Sequence, residues 1–509
     1  MATRARVTIP LLFLLGTSLL FAAAVSASHD EEEDRRGGRS LQQCVQRCQQ
    51  DRPRYSHARF RRIIRSDHGF VKALRPFDEV SRLLRGIRNY RVAIMEVNPR
   101  AFVVPGLTDA DGVGYVAQGE GVLTVIENGE KRSYTVRQGD VIVAPAGSIM
   151  HLANTDGRRK LVIAKILHTI SLPGKFQYFS AKPLLASLSK RVLRAALKTS
   201  DERLGSLLGS RQGKEEEEKS ISIVRASEEQ VRELRREASE SGQGHHWPLP
   251  PVRGDSRDTY NLLEQRPKIA NRHGRLYEAD ARSFHALAQH DVRVAVANIT
   301  PGSMTAPYLN TQSFKLAVVL EGEGEVEIVC PHLGRDSERR EQEHGKGRWG
   351  EEEEDDRRQQ RRRGSGSGSE SESEEQQDQQ RYETVRARVS RGSAFVVPPG
   401  HPVVEIASSR GSSNLQVVCF EINAERNERV WLAGRNNVIA KLDDPAQELT
   451  FGRPAREVQE VFRAKDQQDE GFVAGPEQQE QERGDRRRGD RGRGDDAVGA
   501  FLRMATGAL

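Results

Sequence analysis

The residues able to do chemistry in this chain are few, and most sit late in the sequence. Cys330-Pro331-His332 places a thiol and an imidazole two positions apart, so an extended backbone turns both the same way. His401 follows Pro398-Pro399-Gly400. A thiolate with two imidazoles is a soft donor set of the kind that favours copper. Cys419 lies inside the apolar run Leu415 to Ile422 and is expected to be a buried core thiol, while Cys44 and Cys48 leave their pairing open. The tail from Arg486 to Arg493 is rich in cations. However, Asp485, Asp490, Asp495 and Asp496 interrupt it and no aromatic interleaves to stack on bases, so nucleic acid is not expected as a partner. Glu351 to Asp356 is an acidic run without the spaced ligands of a calcium loop. Asn298-Ile299-Thr300 is the sole glycosylation sequon, and its place at a strand end before Pro301 predicts little occupancy.

The elements that must position these residues occur twice. Val116-Ala117-Gln118-Gly119-Glu120-Gly121 precedes the strand-like run Val122 to Ile126, and Val319-Leu320-Glu321-Gly322-Glu323-Gly324 precedes Glu325 to Val329, about 203 residues later. A second signature, Gly139 through Pro145-Ala146-Gly147, returns as Gly392 through Pro398-Pro399-Gly400 at an offset of about 253. The later half therefore holds about 50 extra residues, visible as the run Arg335 to Arg381 with hardly an apolar side chain. Such a run cannot bury enough surface to order itself, which predicts an exposed insertion in a hairpin loop. Short apolar strands punctuated by Gly and Pro predict all-β jelly-roll units. After each unit the period becomes helical: Leu184, Leu185, Leu188, Leu193, Leu197, Leu204, Leu207 and Leu208 in the first half, and a weaker counterpart from Trp431 to Phe462. Apolar faces on such arms predict contact with a neighbouring subunit.

The 509 residues carry 79 Lys+Arg against 73 Asp+Glu, a net charge of only +6 with both signs interleaved. The mean hydropathy of −0.66 predicts packed domains joined by long solvated stretches. The cations comprise 15 Lys and 64 Arg; arginine's four nitrogens suit a nitrogen reserve. Arg4 and Arg6, the apolar run Ile9 to Val25 and the small residues Val25-Ser26-Ala27 read as a secretory signal peptide rather than a membrane anchor. The expected division is a signal peptide at 1–27, a charged segment at 28–59, a first β unit with its arm at 60–208, a charged linker at 209–257, a second unit with its arm at 258–465 interrupted at 335–381, and a charged tail at 466–509.

The doubled Gly-x5-Pro-x-Gly signature, each after a Gly-x-Gly turn, resembles the cupin family. The run Phe70-Val71-Lys72-Ala73-Leu74, then Leu83-Leu84-Arg85-Gly86-Ile87 and Asn89-Tyr90-Arg91, resembles the vicilins, or 7S seed globulins, of cereals most closely. Thr300-Pro301-Gly302-Ser303-Met304 and Asn423 to Glu428 fit the same family, and the resemblance covers about Phe60 to Lys465. It departs at the N-terminus, where only one Cys-x-x-x-Cys motif remains. The resemblance implies a mainly β bicupin, with two tandem jelly-roll barrels, an α-helical arm after each and disordered charged linkers. It also implies a homotrimer clasped through the arms, passage through the secretory pathway to protein storage vacuoles or protein bodies of seed, and a nutrient reserve digested by proteases at germination. Allergenicity is common among such relatives.

Cupin enzymes hold a metal with His-x-His, a following Glu and a later His. Here those positions carry Pro105 and Leu107, or Leu107 and Asp109, with Met150 in the first half; in the second they carry Asn310, Gln312, Ala317 and Val403. His151 sits one residue from the later position, and a one-residue slip turns a strand side chain to the other face. No enzyme activity and no required cofactor are therefore expected. The resemblance extends to vicilins that bind copper through a Cys, two His and a Tyr, which carries Cys330, His332 and His401 over as the metal set with the Tyr unassigned. The alternative reading is a metal-free cupin that binds a sugar or other small molecule in its cavity. Leu107, Met150 and Val403 favour apolar filling of both cavities, with no convergent polar cluster. Neither a membrane nor a nucleic acid is expected as partner.

Overall fold

The two halves turn on paired glycines. Gly119 and Gly322 adopt φ of +85° and +76°, and a Cβ on either would lie 2.5 Å from the Lys160 carbonyl oxygen or 2.4 Å from that of Asn414. Only glycine tolerates both the left-handed backbone and that approach, so the repeated motif marks the same strand turn in each barrel. The computed structural model describes residues 60–208, 223–241, 259–331, 382–463 and 469–478. The expected signal peptide, the 28–59 segment, the insertion 335–381 and most of the tail lie outside the described residues. Every described residue belongs to one compact unit.

Four antiparallel sheets are present among the described residues. In the first half, a seven-stranded sheet runs Arg61–Ser66, Gly69–Ala73, Tyr90–Val97, Leu161–Thr169, Ala110–Gln118, Asp140–Ala144 and Thr259–Asn261. Its six-stranded mate contains Tyr178–Ser180, Ala101–Thr108, Ile149–Asn154, Glu120–Glu127 and Glu130–Arg137, with Ile223–Arg225 also paired to Ala101–Thr108. In the second half, a six-stranded sheet is centred on Val292–Ile299, Leu415–Ile422 and Phe314–Glu321. The facing seven-stranded sheet is built on Glu323–Cys330, Glu383–Ser390 and Val403–Ala407. The fold is mainly β, two jelly-roll barrels each followed by helices.

Strand alternation divides the apolar residues among successive cores. Along Leu161–Thr169, Leu161, Ile163 and Leu167 face the first barrel's interior, while Ala164 and Ile166 face outward. Along Phe314–Glu321, Ala317 and Val319 face the second interior, while Leu316 and Val318 face outward. The outward sets meet in one continuous core with Tyr115, Val296 and Phe420, so the barrels share an apolar interface and behave as one packed body.

Hairpin chemistry explains where extra chain is accommodated. Glu120–Glu127 and Glu130–Arg137 are closed by Asn128-Gly129, both at positive φ as a tight primed turn requires. The matching strands of the second barrel, Glu323–Cys330 and Glu383–Ser390, remain paired from Glu323–Ser390 to Cys330–Glu383. The insertion thus leaves and re-enters the sheet where the first barrel spends two residues.

Three boundaries expected from composition are corrected. The 209–257 stretch, expected as a linker, contains the strand Ile223–Arg225 and the helix Glu228–Ser241. Ser227 starts that helix with a reciprocal cap: its hydroxyl accepts from the Gln230 N–H at 3.2 Å and the Gln230 side-chain oxygen accepts from the Ser227 N–H at 2.8 Å. Ile223, Val231 and Ala238 are buried, and Arg235 and Glu237 pair with Glu120 and Lys131 of the first barrel at 2.6 and 2.5 Å. Thr259–Asn261, assigned to the second unit, pairs with Asp140–Ala144 of the first. In the expected tail, Phe472–Ala474 pairs with Ser303–Thr305 and buries Phe472. In each case a few apolar residues outweigh a polar surrounding.

The first arm comprises the helices Ala181–Ala186, Lys190–Leu197 and Asp201–Leu208; the second has Asp444–Phe451 and Ala455–Phe462. Ser189 caps the second of these through the Val192 N–H, and Gly452 ends the fourth in the left-handed conformation.

Candidate functional site

The two barrel interiors differ in one respect that governs their chemistry. In the second, charged side chains enter from strands that are otherwise apolar. Lys315 lies on the inward face of Phe314–Glu321, and its ammonium is 2.6 Å from a Glu405 carboxylate oxygen, with 3% and 2% of these side chains exposed. The same ammonium donates to the Tyr308 hydroxyl. Arg429 donates to Glu278 and Glu421 at 2.7 Å each, and Arg293 lies 3.4 Å from the other Glu421 oxygen. The network contains three cations and three carboxylates, so it is internally neutral. Burial alone would push the Lys315 pKa down, but neighbouring Cys419, Glu405 and Tyr308 hold it well above the usual lysine value. Burial would raise Glu421, yet Arg429 and Arg293 hold it below the usual carboxylate range. The residual cavity is about 20 Å³, enough for about one water.

The first interior holds a larger cavity of about 100 Å³, lined chiefly by apolar residues such as Ile64, Val71, Met95, Leu123 and Phe176. By the same alternation, Lys165 points inward between Ile163 and Leu167, and its cross-strand neighbours are the small residues Ala93 and Gly114. Burial, with no opposing charge, pushes its pKa down to about 8. Tyr178 lines the same space, its phenol pushed up to about 12 by burial and its hydroxyl donated to the Val104 carbonyl. The Thr108 hydroxyl, also in the lining, is buried with no hydrogen-bond partner among the described residues. His151 borders this space from the other face of its strand, where its ring packs on Phe102 and its pKa is lowered by burial and by Lys131.

Sequence reasoning expected both cavities to be filled by apolar side chains, without a convergent polar cluster. That expectation is overturned in the second barrel by the Lys315–Glu405 and Arg429–Glu421 pairs, and in the first by the open space around Lys165. The signal was present: each is a charged residue at an inward position of an apolar run, as in Leu161-Val162-Ile163-Ala164-Lys165-Ile166-Leu167.

Of the residues with metal-binding chemistry, Cys330 and His401 flank the same strand end. Ile328 pairs with Val403, and the Val329 N–H donates to the Pro402 carbonyl at 2.9 Å, so Cys330 and His401 both lie just past the end of this ladder. Both are buried, and the His401 ring nitrogen Nδ1 lies 3.0 Å from the Pro399 carbonyl. His332 lies outside the described residues. Among the described residues no group of three or more His, Cys, Asp and Glu side chains could hold a metal ion. Cys419 is a buried free thiol, as expected, with burial pushing its pKa up to about 12.

Comparison with known proteins agrees with this architecture. A family model described as Cupin matches residues 73–204 and 260–457. A 63 kDa globulin-like protein of Oryza sativa subsp. japonica is 55% identical over 503 residues, covering 86% of this chain and 87% of its own. The Globulin-1 S allele product of Zea mays is 59% identical over 425 residues, covering 82% and 70%. A solved vicilin from Solanum melongena, whose structure revealed different anionic ligands in structurally similar pockets, superposes with a TM-score of 0.67 at 28% identity, covering 84% of this chain and 100% of that one. The chain belongs to the cupin family and, within it, to the vicilin-type 7S seed storage globulins of the cereal kind.

Proposed function

We propose that this seed storage globulin serves as a nitrogen and amino-acid reserve, held as a homotrimer in storage vacuoles and opened by proteases at germination. The observation that carries the reading is the contrast between one continuously packed double barrel and long charged stretches almost free of apolar residues. Dense packing resists hydrolysis because a protease must first open the chain locally. First cuts are therefore assigned to 209–222, 335–381 and 479–496. Limited proteolysis of the purified protein, with the first products mapped by mass spectrometry, tests this. Cuts in those stretches are expected; first cuts within Val113–Leu167 contradict the reading.

Two observations support the assembly and the route. Apolar side chains stand exposed on both arms, including Leu207 at 69% and Leu449 at 88%, more than a monomer gains by leaving in water. Arm-to-arm contacts between unlike surfaces close into a ring, as a cyclic trimer requires. The basic and apolar N-terminal residues support entry into the secretory pathway, and no described helix is long and apolar enough to cross a membrane.

A copper site at Cys330, His332 and His401 is part of this proposal, supported by the placement of Cys330 and His401 at the end of one ladder and by the softness of the donor set. Bound copper would tie the base of the insertion to the barrel, with no catalytic role. Titration with copper should show one tight site per chain that disappears in Cys330→Ala; unchanged binding in the variant rejects it.

A second reading, the metal-free ligand-binding cupin, is favoured by Lys165. A half-buried cation facing an apolar cavity suits a small organic anion, whose charge would replace the missing partner.

A further inference from the structure

Three other lysines of the barrels have an acid beside them, and Lys72 lies over the Phe60 ring. Lys131 meets Glu237 at 2.5 Å, Lys160 meets Glu96 at 2.5 Å, and Lys315 meets Glu405 at 2.6 Å. Lys165 has none among the described residues, and burial is the one cause acting on its titration. It instead fronts about 100 Å³ of apolar space, lined on the adjacent strand by the side-chain-free Gly112 and Gly114. A cavity of about 150 Å³ accommodates benzene, so one of about 100 Å³ takes a body of about four or five heavy atoms.

We propose that Lys165 captures small apolar aldehydes and ketones covalently, as an imine. The amine adds to the carbonyl carbon to give a carbinolamine. Loss of water then forms the C=N bond, and the two amine hydrogens leave with the carbonyl oxygen. No oxidant or reductant is needed. The buried Thr108 hydroxyl is available to hydrogen-bond the departing oxygen. The product suits its surroundings better than the starting cation does, because an imine carries no charge at the end of the reaction when deprotonated, whereas a lone buried ammonium is costly.

The ionisation of the site points the same way. At pH 7 an amine with a pKa of about 8 is unprotonated about 300-fold more often than an ordinary lysine. The titratable group that faces the cavity with it is Tyr178, and His151 lies on the other face of its strand, against Phe102. Burial raises the first and lowers the second, so both are uncharged at pH 7 and neither supplies a counter-charge.

The test uses the full-length assembled protein, isobutyraldehyde as the probe and cyanoborohydride to trap imines at pH 7, with adducts quantified by peptide mapping. Lys165 should be alkylated at least tenfold faster than Lys131 or Lys160, and Lys165→Met should lose that adduct alone. Labelling of Lys165 no faster than that of the exposed lysines, in protein with a native circular dichroism spectrum, overturns the proposal. The inference uses the cavity of the anion reading without depending on it, and calorimetry with isobutyrate separates the two. Isobutyrate binding that is lost in Lys165→Met, with no preferential labelling by the aldehyde, overturns carbonyl capture and leaves anion binding standing. Preferential labelling without isobutyrate binding supports carbonyl capture and removes the anion reading.

Discussion

Lys165 and Lys315 show how the same residue type takes opposite characters in two related barrels. Lys315 is matched by Glu405 and stays charged, whereas Lys165 is unmatched and has its pKa pushed down to about 8. The sign of the stability effect follows from linkage. Between pH 8 and 10.5 the unfolded chain binds more protons at this residue than the folded chain, so stability rises with pH across that window. Below pH 8 the penalty for burying the cation is complete. Lys165→Met, which keeps the length and removes the charge, should therefore stabilise the protein at pH 7 by about 2–3 kcal/mol. Denaturant titrations at several pH values should show that advantage shrinking toward pH 10.5; an advantage independent of pH would contradict the assignment. Lys165 is hard to read from the sequence, because a single charge at an inward position of an apolar strand carries no motif of its own. Cys330 and His401 were legible by type, and their place at the end of one ladder needed the register.

At the scale of elements, periodicity and glycine placement carried most of the information. The doubled Gly-x-Gly signature predicted the paired strand turns, and positive φ at Gly119 and Gly322 gives the reason. Composition misled where a short amphipathic element sat inside a charged stretch. Glu228–Ser241 was missed even though Ser227 and Gln230 form a capping pair legible in sequence, because the surrounding polarity was averaged over it. The arms were visible from their leucine spacing, and their exposed residues make a direct prediction. Leu449→Asp places a charge where the assembly reading buries an apolar side chain, and should shift the trimer to monomers in light scattering while leaving the circular dichroism spectrum unchanged. A variant that remains fully trimeric would remove the second arm from the interface.

For the whole molecule, the decisive feature is that two barrels share one apolar core through Tyr115, Val296 and Phe420, so neither is free to open without the other. That union was not legible in the sequence, since inward and outward faces of a central strand are both apolar there and periodicity cannot tell which partner each face meets. The bicupin plan itself was legible, because the repeat survives the long insertion between its two signatures. Packing of this kind suits persistence, and the charged stretches between packed segments suit rapid attack. Storage, however, is defined by amount and timing. The most direct test is quantitative mass spectrometry of the intact chain and its fragments through seed maturation and germination. The account predicts a rise to a major fraction of seed protein, followed by fragments cut first in the charged stretches; a chain that stays scarce and intact through germination would contradict it.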